Sequence, residues 1–154
     1  MPSARYSIHR RCVLRASVDS TWEELRDFTN VCKVAFRDQV ENVHWIEGGS
    51  VKHVPALVRF TLQPGDNQIT EQVAGRSEID RSITFRTVGP ALSFADYVAT
   101  MRCMPLTDEA NKCVFEWSME FSLIKGTNAD EFLPMYESLV DQQIANFKGH
   151  FGGV

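Results

Sequence analysis

Two ionisable residues of opposite charge lie at positions that a β-hairpin would bring together. A turn centred near Pro64-Gly65-Asp66 would place Arg59 opposite Glu71 and Thr61 opposite Ile69, and directly opposed residues share one face of a sheet. On the outer face, such an ion pair would contribute only about 0.2–1 kcal/mol to stability and carry no function. On the inner face, it would form a desolvated pair able to hold the polar end of a ligand.

The hydrophobic pattern leaves the direction of this pair open. Arg59 is flanked by Val58 and Phe60, which belong to the more apolar face of the first strand, so this strand predicts an outward Arg59. Glu71 alternates in phase with Ile69 and Val73, so the second strand predicts an inward Glu71. A directly opposed pair cannot satisfy both predictions.

A second predicted hairpin brings a tyrosine to an apolar face. A turn centred on Asp108 would pair Tyr97 with Met119. The same face would carry three apolar pairs, namely Ala99 with Trp117, Met101 with Phe115, and Cys103 with Cys113. We expect this face to line a pocket, where the Tyr97 hydroxyl requires a polar partner. That partner is either a ligand or an ordinary backbone or water contact, and the sequence favours neither.

Turn residues divide most of the chain into seven predicted strands, roughly residues 5–18, 40–47, 54–62, 68–78, 83–88, 94–105 and 112–123. Two short helices should follow the first strand. One begins at a capping box formed by Ser20 and Glu23, and the other covers residues 31–36.

The end of the chain has a helical period. Apolar residues recur every three or four positions from Phe132 to Phe151, which predicts an amphipathic helix of about 20 residues. Met135, Leu139 and Gln143 share one face of it. The order of elements predicts an α+β fold, in which a long helix covers one face of an antiparallel sheet.

Composition limits the possible partners. A length of 154 residues suits a single domain spanning 1–154, and a net charge of −4 argues against nucleic acid as a partner. The chain has no run of 18 apolar residues and no apolar signal core, so we expect no membrane insertion and a cytoplasmic location. The four cysteines lack zinc-site spacing and should be free thiols, and we expect no metal and no cofactor.

Short motifs spread along the chain carry a resemblance to a known superfamily. They are residues 18–22 (VDSTW), 56–59 (ALVR), 69–71 (ITE), 83–85 (ITF), 96–100 (DYVAT) and 115–117 (FEW). With the order of elements, they make the chain similar to the START/birch-pollen-allergen (SRPBCC) superfamily over about residues 5–150. The resemblance is closest to the polyketide cyclase/dehydrase group and more remote to plant abscisic acid receptors. It implies a helix-grip fold, in which a curved seven-stranded antiparallel sheet surrounds the C-terminal helix and leaves an internal pocket.

The resemblance implies that Arg59 and Glu71 both point inward. Val58 and Phe60 would then lie on the outer surface, where they form a candidate homodimer contact. Phe85 stands where cyclase relatives often have tyrosine, which weakens any acid–base role at that position.

Further ligand contacts follow from the same resemblance. Arg37 lies where the hormone receptors carry a basic residue that anchors a carboxylate, although the sequence slightly favours a solvated arginine beside a short helix. The loops 63–66 and 88–92 correspond to those that close over the ligand in these receptors. The full set of expected ligand-contacting residues is Arg37, Thr61, Phe85, Thr87, Met101, Trp117, Met119, Met135, Leu139 and Gln143.

The leading hypothesis is an enzyme that cyclises or dehydrates a small hydrophobic or aromatic molecule. Glu71 would be the general base, Tyr97 a proton or hydrogen-bond donor, and Arg59 or Arg37 the group that stabilises an enolate. A non-catalytic carrier or sensor of a small hydrophobic ligand is the first alternative. The second is an interaction protein with a filled core, which an internal volume of several hundred Å³ would exclude.

Overall fold

Seven strands and three α-helices follow one another in the computed structural model, which describes residues 4–152. The strands are β1 (Tyr6–Leu14), β2 (Val40–Ile46), β3 (Ala56–Leu62), β4 (Asn67–Ser77), β5 (Ser82–Thr87), β6 (Phe94–Pro105) and β7 (Cys113–Leu123). The helices are α1 (Val18–Leu25), α2 (Phe28–Phe36) and α3 (Ala129–Phe151). The predicted α+β helix-grip layout, with two short helices after the first strand, is confirmed.

All seven strands form one antiparallel sheet in the order β1-β7-β6-β5-β4-β3-β2. The register shifts at three places, between Glu41 and His44, between Val73 and Gly75, and between Phe94 and Asp96. Such irregularities bend and twist strands, which allows the sheet to curve. The long helix α3 contacts α2 and β1, so it lies along the inner side of the sheet.

Side-chain caps set the starts of the helices. Ser17 caps α1 by accepting a hydrogen bond from the Ser20 backbone N–H at 3.1 Å. The predicted capping box of Ser20 and Glu23 is therefore wrong, because the helix begins earlier and Ser20 already lies in its first turn. Asn128 caps α3, which continues past Pro134 without a break.

The register of the β3–β4 hairpin corrects the first sequence prediction. Arg59 pairs with Thr70 and Val58 pairs with Glu71, one residue away from the predicted pairing. A one-residue shift moves a side chain to the opposite face, so Glu71 points inward while Arg59 points outward. Both strands therefore keep their apolar residues inside. The predicted inward Arg59 is wrong.

The same register removes the predicted dimer contact. Val58 and Phe60 are 0% and 1% exposed and belong to the core. The sequence prediction placed them outside only because it paired Arg59 with Glu71. No exposed patch forms at these two residues.

The β6–β7 hairpin differs from its prediction by two residues. Tyr97 pairs with Phe121, Ala99 with Met119 and Met101 with Trp117. A shift of two residues keeps each side chain on its face, so the predicted inward face is correct although the pairs are not. Cys103 and Cys113 are not opposed, and all four cysteines are buried free thiols.

Candidate functional site

A cavity of about 80 Å³ lies between α2, α3 and the inner face of the sheet. This volume is below the 300–1,000 Å³ that is common for small-molecule sites and above the roughly 10–15 Å³ that one water requires. The volume is also smaller than the several hundred Å³ that would exclude an interaction protein with a filled core. A ligand larger than a few atoms therefore requires side chains of the wall to move.

The wall of the cavity is mostly apolar and aromatic. The lining includes eight phenylalanine, tyrosine or tryptophan side chains, of which Phe36 is partly exposed and the others are buried, namely Phe28, Phe60, Phe85, Phe94, Tyr97, Trp117 and Tyr136. Phe85 packs against Phe28 with ring centroids 4.6 Å apart, so its ring is part of this packed aromatic wall.

The mouth of the cavity is marked by lining residues that remain partly exposed. These are Phe36, Leu62, Thr87, Ala91, Leu92 and Leu139. Of the two loops expected to close over a ligand, the one at 88–92 contributes Ala91 and Leu92 to the lining, whereas no residue of the loop at 63–66 does so. The mouth is therefore bordered by β3, α3, the end of α2 and the loop that joins β5 to β6.

Glu71 carries the one carboxyl group among the described residues that line this cavity. Its carboxyl group lies on β4 and is buried, and its Oε2 atom has no hydrogen-bond partner. Burial without a counterion disfavours the ionised form and raises the pKa of Glu71 to about 8. The expected partner, Arg59, lies on the other face of the sheet and donates from Nε to Thr70 Oγ1 at 3.1 Å.

Two tyrosine hydroxyl groups meet beside a methionine sulfur. The Tyr97 and Tyr136 oxygens are 3.4 Å apart, and they lie 3.5 Å and 3.4 Å from the Met119 sulfur. Burial raises the pKa of Tyr97 well above its usual value, and burial also raises the pKa of Tyr136. Both hydroxyl groups therefore keep their protons.

The Trp117 side chain adds an unused donor to this group. Its indole Nε1 is buried and has no hydrogen-bond partner. It lies beside the Tyr97 hydroxyl, where it opposes the rise in the pKa of that tyrosine without forming a well-directed hydrogen bond. We call Glu71, Tyr97, Trp117 and Tyr136 the polar cluster.

The structure brings most of the expected site residues to one place. Glu71 and Tyr97 line the cavity, together with the expected contacts Phe85, Thr87, Met101, Trp117, Leu139 and Gln143. Their contact with a ligand and any catalytic role of Glu71 or Tyr97 remain predictions.

Five expected residues lie elsewhere. Arg59 and Thr61 alternate with the buried residues of β3 and lie on the outer face. Arg37 is exposed and borders a separate open depression with Lys33 and His150. Met135 is 58% exposed on α3, and Met119 lies behind the wall, where its sulfur faces the two tyrosines.

Sequence reasoning missed Tyr136 and Cys32, which both line the cavity. Tyr136 had been assigned only to the apolar stripe of the last helix. The argument applied to Tyr97, that a buried hydroxyl requires a polar partner, would have singled it out as well. Cys32 carries no comparable signal, because a buried cysteine behaves as a small apolar residue.

Neither a metal cluster nor a membrane-spanning helix occurs in the part of the chain that the structure describes. Within residues 4–152, no group of three or more His, Cys, Asp or Glu side chains is arranged to hold a metal ion. No helix in the same range is long and apolar enough to cross a membrane.

Comparisons with known proteins agree with the fold and with the resemblance seen in the sequence. Residues 5–152 match the family model described as polyketide cyclase / dehydrase and lipid transport. No curated protein sequence matches the chain.

Several solved structures share the fold at low sequence identity. The protein XoxI from Bacillus cereus is 15% identical, with a TM-score of 0.76 and 94% of each chain covered. The Zhui aromatase/cyclase from Streptomyces sp. R1128 is 18% identical, with a TM-score of 0.73 over 93% of this chain and 88% of its own. A truncated norcoclaurine synthase from Thalictrum flavum is 15% identical, with a TM-score of 0.70 over 96% of this chain and 94% of its own.

Proposed function

The chain belongs to the polyketide cyclase / dehydrase and lipid transport family, and from this premise we propose that its cavity binds a small, largely apolar molecule and catalyses an acid–base step on it. The step is a cyclisation, a dehydration or a related proton transfer. The observation that carries this proposal is Glu71, a buried carboxyl group without a partner in an aromatic wall.

The environment of Glu71 supports a role in proton transfer. A catalytic acid or base works best when its pKa lies near the working pH, and burial brings the pKa of Glu71 to about 8. At neutral pH the carboxyl group is mostly protonated, so it can first donate a proton to a ligand oxygen. The resulting carboxylate can then remove a proton from carbon, which adds a donor role to the general-base role expected from the sequence.

Tyr97 supports the same step as a hydrogen-bond donor. Its hydroxyl group keeps its proton at all ordinary pH values because burial raises its pKa. A neutral donor of this kind can stabilise negative charge that develops on a ligand oxygen. Arg59 and Arg37 take no part in this proposal because neither lines the cavity.

The alternative function is a non-catalytic carrier or sensor of a small hydrophobic ligand. It is favoured by the scarcity of acid–base groups, since Glu71 is the one carboxyl group among the described lining residues. The partly exposed Ala91 and Leu92 at the mouth also suit the entry and release of an unchanged ligand.

Native mass spectrometry of the purified protein tests the proposal by finding any small molecule that co-purifies. The recovered molecule is then incubated with the protein under single-turnover conditions. Conversion that is lost in Glu71→Gln and reduced in Tyr97→Phe supports catalysis. The matched control is Arg59→Gln, which changes a charged residue on the outer face of the neighbouring strand and should leave conversion intact.

Two other outcomes count against catalysis. A bound molecule that is recovered unchanged favours the carrier or sensor. Conversion at the wild-type rate in both Glu71→Gln and Tyr97→Phe shows that the assignment of these residues is wrong.

A further inference from the structure

Three side chains on the outer face of the sheet are arranged as a nucleophile, a base and a carboxylate. The Ser118 Oγ atom lies 2.7 Å from His9 Nδ1. The other ring nitrogen of the histidine, Nε2, lies 3.3 Å from Glu116 Oε2. A serine within hydrogen-bond reach of a base, with the base oriented by a third group, is the arrangement that activates the nucleophile in many acyl-transfer enzymes.

The strand register brings these three residues together. His9 on β1 is directly opposite Ser118 on β7. Glu116 lies two residues before Ser118 on β7, so both side chains are on the same face of that strand. The intervening Trp117 is buried on the inner face, whereas Ser118 is exposed. The three residues therefore face solvent on the side of the sheet that lies away from the cavity.

The Glu116 carboxylate selects the histidine tautomer that this chemistry requires. A carboxylate only accepts hydrogen bonds, so a neutral His9 that faces it carries its proton on Nε2. The Nδ1 atom is then unprotonated and accepts the hydroxyl proton of Ser118. Arg11 Nε lies 3.8 Å from the same Glu116 oxygen and helps to hold the carboxylate in place.

The three other histidines make only parts of this arrangement. His53 contacts the Ser50 hydroxyl at 2.9 Å, but no carboxylate among the described residues forms an ion pair with it. His150 contacts Glu24, and His44 contacts a backbone carbonyl. Ser50 and His53 therefore provide an internal comparison, in which the nucleophile and the base are present without the third residue.

Side chains of the neighbouring strand supply donors for the negative charge that forms on an acyl oxygen. The strand β7 lies between β1 and β6, so its backbone N–H groups are used in the sheet. Thr100 on β6 is directly opposite Ser118, and Arg102 is directly opposite Glu116. Side chains of opposed residues are within reach of each other. Two side-chain donors stabilise an oxyanion less than a preorganised pair of backbone amides, so the acyl donor requires a good leaving group.

We propose that Ser118 is a nucleophile that accepts an acyl group from activated carboxylic esters, with His9 as its general base and Glu116 as the residue that positions His9. The Ser118 Oγ atom forms a bond to the acyl carbon, and its proton passes to His9 Nδ1. The bond between the acyl carbon and the leaving oxygen breaks, and the leaving group departs as an aryl oxide or alkoxide that the His9 proton neutralises. This activity is separate from the function proposed for the cavity.

Incubation of the whole chain with para-nitrophenyl acetate tests this inference. Absorbance follows the release of para-nitrophenolate, and mass spectrometry of peptides taken at successive times measures the acetylation of each serine. We expect Ser118 to be acetylated at least about tenfold faster than Ser50, because the base beside Ser50 is not oriented by a carboxylate. Ser122 should stay unmodified, since it is buried and its hydroxyl group donates to Asp96.

Two variants identify the nucleophile and the base. Ser118→Ala should remove the fast acetylation altogether. His9→Gln keeps a polar side chain but no base, so it should slow the acetylation of Ser118 about a hundredfold. His53→Gln is the matched control, because it removes the other histidine that contacts a serine and should leave the rate at Ser118 unchanged. An unchanged circular dichroism spectrum shows that each variant is folded.

A variant of Glu116 separates positioning from a merely structural role. Glu116→Gln presents both a donor and an acceptor to His9, so it no longer selects one tautomer of the ring. The acetylation of Ser118 should slow at least about tenfold. The ¹⁵N signals of the His9 ring should change from those of a ring protonated on Nε2 to those of a tautomer mixture, which a structural role would not produce.

Three outcomes overturn this inference. The first is acetylation of Ser118 no faster than that of Ser50, and the second is a rate at Ser118 that survives His9→Gln. The third is a stable acetyl group on His9 in place of Ser118, which would show that the nucleophile is assigned wrongly. None of these outcomes bears on the cavity, because Ser118 and His9 lie on the opposite face of the sheet.

Discussion

Two regions of the molecule each hold a tryptophan and a glutamate, and the contacts of these side chains differ between the two regions. At the junction of α1 and β4, the Trp22 indole donates to Glu78 Oε2 at 2.6 Å, and Arg26 donates to Glu78 Oε1 at 2.7 Å. Arg76 lies 3.2 Å from the same carboxylate. In the cavity, neither the Trp117 indole N–H nor Glu71 Oε2 forms a well-directed hydrogen bond.

These different contacts shift the pKa values of the two carboxyl groups in opposite directions. Hydrogen bonds from Arg26 and Trp22 lower the pKa of Glu78, whereas burial raises the pKa of Glu71 to about 8. Glu78 resembles a structural contact, because each of its bonds joins parts of the fold that must stay together. The Oε2 atom of Glu71 has no hydrogen-bond partner, which is why we associate this carboxyl group with a ligand. The predictions below test this contrast.

The largest expected effect is on the pH dependence of stability through Glu71. Its carboxyl group has a pKa of about 8 in the folded protein, against 4.5 for an unperturbed group. The folded state therefore loses stability as the pH rises from about 4.5 to 8, by at most about 4–5 kcal/mol. Glu71→Gln removes this titration, so it should be close to the wild type at pH 4.5 and more stable at pH 9. Urea unfolding of both proteins at both pH values measures this difference. If the free energy of unfolding changes equally with pH in the variant and in the wild type, Glu71 is not desolvated.

Replacement of Trp22 by phenylalanine should cost more stability than the same replacement of Trp117. Trp22→Phe breaks the bond to Glu78 and should lower the free energy of unfolding by about 1 kcal/mol. Trp117→Phe removes a buried N–H that has no partner, so it should cost less than Trp22→Phe or even stabilise the protein. Chemical denaturation at pH 7 compares the two, and an equal loss in both variants would contradict the contrast.

Glu78→Gln should lower stability by a smaller amount, up to about 1 kcal/mol at pH 7. Half of the Glu78 side chain is exposed, so solvent screens its ion pairs. Because the pKa of Glu78 is lowered in the folded state, its contribution is present above about pH 4.5 and disappears as the pH falls below that value. The difference between variant and wild type should therefore shrink at pH 3, opposite to the behaviour of Glu71→Gln. A gap that widens in acid would rule out this role.

Arg59→Gln should have the smallest effect, below about 0.5 kcal/mol on stability. The side chain makes one hydrogen bond, to Thr70, on the outer face of the sheet. The variant should bind any cavity ligand as the wild type does, which calorimetry with acetophenone or ethylbenzene can check. A loss of binding above about threefold would support the inward position that the sequence resemblance implied.

The sequence was sufficient for the fold and for the inward face of β6, but not for the partners of Glu71. Hydrophobic period and turn spacing locate strands and helices well, because they reflect the burial of whole elements. Hydrophobic period and turn spacing predict the pairing register of neighbouring strands only to within one or two residues. The two-residue error at Tyr97 left its side chain on the correct face, whereas the one-residue error at Arg59 reversed it.

The hydrophobic pattern of β3 had already pointed Arg59 outward, and the structure agrees with that pattern rather than with the family resemblance. The size of the cavity could not be predicted in the same way. It depends on how the side chains of α2 and α3 fill the space inside the sheet, and this packing leaves no periodic mark in the sequence. Tyr136 was missed because its place in an apolar helical stripe was explained by packing alone.

The pairing of the first strand has a consequence for how this protein is made. The strand β1 is synthesised before the other described strands, yet its only neighbour among them is β7, with Tyr6 opposite Phe121. Contacts so distant along the chain form late, because a long loop must close first. The helix that carries Tyr136 and Gln143 is synthesised later still. A growing chain therefore has no closed cavity until α3 has been made and packed.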